Sequence, residues 1–298
     1  MNKIYLIFLT AIISGFSIFI NKFGVEFNNP YVFTFIKNSV VFIFLFGLIL
    51  LLKEHNNFKL LKRNDWYKLI IIGFIGGSIP FLLFFKGLQI TSSANASFIH
   101  KTMFLYVAVL AYIFLKERFS WKVFAASGAL ILGNFLLLKL TWQPFNIGDA
   151  MILVATLFWA VENTLSKHIL QNVPSKITAF SRMFFGSIFI LIFLVASGNI
   201  NEMFVLTQNQ LLWAIVPSVF LVLYLLTWYE GLKYIPATLA TAILLLGSPI
   251  TTLLNIIQAG ASITLQQSFG IALLVSGITM FLYSVEEIKL PSPTKFVT

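Results

Sequence analysis

Apolar stretches of about twenty residues recur along the whole chain, and this recurrence constrains the fold more than any other feature. They run over roughly 4–23, 31–52, 66–86, 93–114, 121–140, 149–168, 176–197, 210–230, 237–258 and 266–285. Each is close to the ~20 residues that cross ~30 Å of hydrocarbon at ~1.5 Å per residue. A backbone in lipid must satisfy its own hydrogen bonds, and the short alternating segments of a β-barrel are not in the sequence, so helices are the expected spanning element. Only 10% of the 298 residues are charged, against 59% hydrophobic, and the mean hydropathy is +0.93. A soluble domain carries roughly 25% charged residues to face water. The expected class is an all-α integral membrane protein of ten transmembrane helices. The first stretch reads as a retained helix, since it is long for a signal peptide, is preceded only by Lys3 and lacks a cleavage site. Cysteine is absent, which removes disulfides, thiol catalysis and thiolate metal sites.

A net charge of +10 on a soluble chain would suggest nucleic acid, but its distribution here suggests a membrane orientation. With the N-terminus in the cytoplasm, Lys3, Lys53, Lys59, Lys62, Arg63, Lys68, Lys116, Arg118, Lys122, Lys167, Lys176, Lys233, Lys289 and Lys295 share that side. Lys22, Lys86 and Lys139 fall on the other, while Lys37, Lys101 and Arg182 lie within spans. Positive residues stay on the inside, so both termini are expected in the cytoplasm of a cell whose inner membrane holds the protein. Trp66, Trp121, Trp142 and Trp213 sit near span ends, as interfacial aromatics do.

Shifting the sequence on itself by about 145 residues brings its halves into register. Phe16-Ser17-Ile18-Phe19-Ile20-Asn21-Lys22 falls on Val161-Glu162-Asn163-Thr164-Leu165-Ser166-Lys167, and Thr34-Phe35-Ile36-Lys37 falls on Ala179-Phe180-Ser181-Arg182. One residue less of shift sets Phe84-Phe85-Lys86-Gly87-Leu88 on Trp228-Tyr229-Glu230-Gly231-Leu232. The expected organisation is one five-helix repeat over 1–143, a second over 144–288 and a short cytoplasmic tail over 289–298. Five is odd, so the second repeat enters the membrane inverted, a construction that recurs in secondary transporters.

These residues resemble the EamA-type drug/metabolite transporters. Phe33-Thr34-Phe35-Ile36-Lys37 and Ala179-Phe180-Ser181-Arg182-Met183 are similar to the basic motif of that family's second helix. Phe84-Phe85-Lys86-Gly87-Leu88 with Ser93-Ala94-Asn95-Ala96, and Trp228-Tyr229-Glu230-Gly231-Leu232 with Ala237-Thr238-Leu239-Ala240, resemble its helix-end and small-residue motif. Leu115-Lys116-Glu117-Arg118-Phe119-Ser120 resembles its turn after the fourth helix, and Gly247-Ser248-Pro249 its proline position. The first half departs from the pattern with Leu105 at the proline position, and the second with Ala261 near the position of Glu117. The resemblance implies ten helices in two inverted repeats and alternating access around a cavity bounded by helices 1, 3, 4, 6, 8 and 9.

A charge at mid-bilayer costs at least ~2.5–3.5 kcal/mol on insertion scales and needs a partner or water. Glu162 in the sixth span and Lys101 in the fourth, beside His100, differ in depth by only ~7 Å. A Glu162–Lys101 ion pair, or both groups facing one wet cavity, is the leading expectation, against a buried pair that only fixes packing. Trp159, Glu162, Asn163 and Ser166 form one helical stripe, Thr10, Ser14, Ser17 and Asn21 another, and Ser97, His100, Lys101 and Phe104 a third. Thr241, Ser248 and Thr252 add a polar edge from the ninth span. The candidate substrate-binding set is therefore Glu162, Lys101, His100, Trp159, Asn163, Ser97, Ser17 and Thr241. Lys37 and Arg182, at matched repeat positions, read as snorkelling to the interface.

Of the three histidines, His55, His100 and His168, only His100 lies in the interior of a span, and no pair has metal-ligand spacing. No glycine-rich phosphate loop is present, so no cofactor is expected and transport would be facilitated, exchanged or ion-coupled. The expected function is outward movement of a small metabolite such as an amino acid. The expected partners are that substrate, the lipid bilayer and protons coupled through Glu162, with a homodimer left open. The alternatives are an importer or exchanger of anionic metabolites using His100, Lys101 and Lys37, and a membrane-embedded enzyme or structural partner.

Overall fold

The apolar stretches form helices whose outward faces stay apolar while polar side chains turn inward, the reverse of a water-soluble fold. Ile43, Phe44, Tyr112, Val195 and Val219 are exposed, whereas Lys37, Asn38, Glu162, Arg182 and Ser218 are buried. The computed structural model describes residues 3–27, 29–91, 93–117, 119–138 and 144–285. Arg118, Lys139, Trp142, Lys289, Lys295 and the expected tail over 289–298 lie outside the described residues.

The helices are α1 (Ile4–Phe27), α2 (Pro30–Leu51), α3 (Arg63–Gly77), α4 (Ile79–Ile90), α5 (Ser93–Lys101), α6 (Met103–Leu110), α7 (Trp121–Leu137), α8 (Ile147–Ile169), α9 (Ser175–Ala196), α10 (Gln208–Leu232), α11 (Ala237–Ile243), α12 (Gly247–Gln258) and α13 (Leu265–Val285). No strand occurs among the described residues. The pairs α3–α4, α5–α6 and α11–α12 are each one crossing broken near its middle. Nine helical units among the described residues are long and apolar enough to cross a membrane, and α7 adds a shorter apolar helix of 17 residues. The third crossing covers Arg63–Ile90, 28 residues, longer at both ends than hydropathy suggests.

Local sequence fixes several helix starts. Asn146 caps α8 by accepting from the Asp149 amide at 3.1 Å, while Asp149 accepts in return from the Asn146 amide at 3.0 Å. Thr207 and Gln210 make the same reciprocal box at the start of α10. Packing joins the helices in matched couples: α1 lies on α10 as α4 lies on α8, α2 on α10 as α3 on α9, α7 on α13, and α2 on α9.

Small residues set the closest approaches. At the α3–α9 crossing, a Cβ on Gly77 would stand 2.1 Å from the Arg182 carbonyl oxygen, and one on Gly186 would stand 2.5 Å from the Gly77 oxygen. Both obstacles are backbone, so the helices would have to separate. Gly186→Val is expected to lower stability by about 1–3 kcal/mol or more through overpacking. A thermal melt of the detergent-purified protein checks this, and an unchanged midpoint would contradict such a tight crossing.

Candidate substrate cavity

At two of the three breaks, backbone carbonyls accept from side chains of other helices. Pro80 has no N–H, so the Gly76 carbonyl four residues earlier loses its helical partner. It accepts instead from Trp159 Nε1 and Arg182 Nη2, each at 3.1 Å. The Gly77 carbonyl accepts from Asn38 Nδ2 at 2.9 Å. Between α11 and α12, the chain tightens over Leu244–Leu246, where the Leu244 carbonyl accepts from the Gly247 amide and also from Lys101 Nζ at 3.1 Å. That ammonium faces the C-terminal, negative end of α11. The repeat register expected from the sequence sets the break at Thr102 close to the break at Leu244–Leu246.

Around these breaks lies a cavity of about 720 Å³, within the range of small-molecule sites. One wall is aromatic, from Phe81, Phe84, Phe85 and Trp159, with His100 set 5.0 Å from the Trp159 ring and 5.4 Å from Phe84. The other is polar, with Ser14, Ser17 and Asn21 of α1 beside Thr251, Thr252 and Asn255 of α12. The lining continues through Leu88, Leu137, Gln258 and Gln267, so the cavity extends toward the end of the bundle at which α1, α4, α7 and α12 finish.

The end at which α1 begins is closed by charged contacts. Lys3 pairs with Glu230, which also accepts from Ser175 Oγ at 2.6 Å. Lys167 Nζ donates to the carbonyls of Leu232, Lys233 and Ile235 at 2.7, 3.2 and 2.6 Å, covering the C-terminus of α10. Glu117, buried, accepts from the Ala237 and Thr238 amides at 2.7 and 3.3 Å, capping α11. The link from α10 to α11 is thus held at both ends.

Of the candidate residues, Ser17, Ser97, His100, Trp159 and Asn163 line the cavity. Lys101 and Thr241 line a neighbouring space of about 20 Å³, and Thr241 donates to the carbonyls of Ala237 and Thr238. Asn163 accepts from Trp228 Nε1 at 3.0 Å and so is fixed in place. The ion pair that forms is not Glu162–Lys101. Glu162 Oε2 lies 3.3 Å from Arg182 Nη1, and Glu162 Oε1 accepts from Tyr229 and Ser166 hydroxyls at 2.6 Å each. Lys101 faces away to its carbonyl. Equal depth along two helices does not set their rotation, and Lys101 Nζ meets the Leu244 carbonyl instead.

Lys37 and Arg182 do not snorkel. Both are buried and both line the cavity, because acceptors lie inward: Asn21 Oδ1 for Lys37 at 3.1 Å, and Glu162 with the Gly76 carbonyl for Arg182. The matched repeat positions were the available signal. Among the described lining residues they are the lysine and arginine, and no aspartate or glutamate lines the cavity.

A helical bundle with apolar outer faces, broken crossings and a central polar-aromatic cavity is a multi-pass membrane transporter fold. The chain belongs to the EamA-like transporter family, which matches residues 1–139 and again residues 146–283. It is 28% identical over 229 residues to an "Uncharacterized transporter" of Methanothermobacter thermautotrophicus, covering 74% of this chain and 64% of that protein, just under two thirds of its length. It is 27% identical to an "Uncharacterized transporter" of Archaeoglobus fulgidus over 93% of this chain and 98% of that one. Over 119 residues it is 33% identical to an "S-adenosylmethionine/S-adenosylhomocysteine transporter" of Chlamydia muridarum, 40% of this chain and 36% of that one. A solved crystal structure matches with a TM-score of 0.76 at 16% identity, over 95% of this chain and 97% of that one, which supports the fold alone.

Proposed function

We propose that this protein is a secondary carrier that moves a small metabolite of amino-acid kind out of the cell by alternating access. The observation that carries this reading is the 720 Å³ cavity, built by both halves, extending toward one end of the bundle and shut at the other by Lys3–Glu230, Lys167 and Glu117. Two inverted repeats of five helices with both termini cytoplasmic fit the lysine distribution and the matched helix couples. In that orientation the cavity of this state faces outward. The named substrates of the Chlamydia muridarum relative include an amino acid with a large aromatic group, and the aromatic wall suits that chemistry.

Ser17, Ser97, His100, Trp159 and Asn163 contact the substrate in this reading, while Lys101 and Thr241 support the hinge of the ninth crossing. Glu162 acts as a fixed anion for Arg182, Tyr229 and Ser166, and not as the proton carrier that the sequence suggests. Counterflow of pooled labelled amino acids in proteoliposomes tests the function. Saturable counterflow is expected, and it should be reduced in Trp159→Ala protein that inserts normally. Its absence with every pool, under inward and outward gradients, would overturn the carrier reading.

A further inference from the structure

We propose that Lys37 is an anion-binding subsite, and that the substrate carries an acidic group, a carboxylate or its equivalent, which takes the place of a carboxylate missing from the first half of the chain. The proposal rests on the carrier reading above and assigns its substrate class. The two halves provide an internal control. In the second half Arg182 is matched by Glu162 at 3.3 Å, with Ser166 and Tyr229 hydroxyls donating to that acid. The repeat register sets Lys37 on Arg182, Ser17 on Glu162, Asn21 on Ser166 and Phe85 on Tyr229.

The first half therefore keeps the cation, loses the acid to a serine and replaces the tyrosine hydroxyl with a bare ring. The geometry follows suit. Lys37 Nζ donates to Asn21 Oδ1 at 3.1 Å and otherwise lies among ring faces, 4.1 Å from the Phe85 centroid, 5.0 Å from Phe33 and 5.2 Å from Phe81. Its side chain is 2% exposed, yet it lines the cavity with Ser17 and Asn21. Aromatic faces and one amide oxygen solvate an ammonium only in part, and they leave its charge uncancelled. An anion entering past Ser17 meets the ammonium where Glu162 meets Arg182. The aromatic wall beside it holds the rest of the molecule, and the buried His100 Nδ1, which has no partner, offers that remainder a polar contact. The class that fits is a monoanionic organic acid, amino acids included, with an apolar or aromatic body.

Binding of tritiated L-phenylalanine to the purified full-length protein, competed by 3-phenylpropionate, L-phenylalaninamide or sodium chloride, tests this. The acid is expected to compete better than the amide by on the order of tenfold, equivalent to about 1.4 kcal/mol. Lys37→Met should abolish that preference, and Lys37→Arg should retain it. Equal competition by acid and amide, preference unchanged in Lys37→Met, or no binding to the wild-type protein would each overturn the proposal. Displacement by chloride as effective as by the organic acid would also overturn it, assigning Lys37 to an inorganic ion. If these binding results fail while counterflow of other metabolites persists, the substrate class is wrong and the carrier reading stands.

Discussion

Replacing Arg182 with methionine is expected to cost about 3–5 kcal/mol of stability, because it strands the Glu162 carboxylate in the bundle interior. Glu162 has no exposure, and Arg182 is its counter-charge at 3.3 Å. The same guanidinium bonds Tyr229 Oη and the Gly76 carbonyl at 3.1 Å each, so its loss also leaves that carbonyl with Trp159 Nε1 as its side-chain donor at the break before α4. Removing both charges is a different experiment. Glu162→Met with Arg182→Met leaves no lone charge, and buried pairs replaced by apolar groups are often near neutral in stability. The double variant should therefore recover much of what either single variant loses. Melting midpoints for the two singles and the double close the cycle. A single Arg182→Met protein as stable as wild type would contradict the pairing.

The second large effect is expected at the closed end. Glu117→Ala removes the acceptor of two α11 amides and leaves them buried against the α10–α11 link. Hydrogen bonds to charged groups contribute ~1.5–3 kcal/mol, so loss of this cap should shift the balance between closed and open forms of that end on the order of tenfold to a hundredfold. The effect should concentrate there, because the position near its repeat equivalent is Ala261, which lines the cavity and supplies no such cap. The chain has no cysteine, so spin labels at Gln171→Cys and Tyr234→Cys report this end without background. Their distance distribution should gain a longer component in Glu117→Ala. An identical distribution would show that Glu117 does not hold the end shut.

Hydropathy alone located the crossings, because lipid demands long apolar runs and little else produces them. The ninth crossing was legible over 237–258, where α11, the turn and α12 together fill the same range. The break at Ser78 was legible as a flexing point, because Gly76-Gly77-x-x-Pro80 marks one even inside a run that stays apolar throughout. Helix rotation was the larger gap. Depth follows from counting residues, which set Glu162 beside Lys101, but the face a charge presents depends on acceptors from other helices. Pro80 frees the Gly76 carbonyl and draws Arg182 inward, and the turn at Leu244 draws Lys101 away from Glu162. Such acceptors exist only once the breaks have formed. Ser17, Ser97, His100, Trp159 and Asn163 were reachable from periodicity because the helical stripes they belong to face the interior.

The central claim is that one cavity serves both sides of the membrane in turn, and labelling of Ser97→Cys with a membrane-impermeant maleimide addresses it most directly. Ser97 lines the cavity from α5, and the cysteine-free background makes the signal specific. The account predicts labelling in right-side-out vesicles and, more slowly, in inside-out vesicles, with the inside-out rate raised by Glu117→Ala. Labelling confined to one face, in the wild-type and Glu117→Ala backgrounds alike, would contradict alternating access.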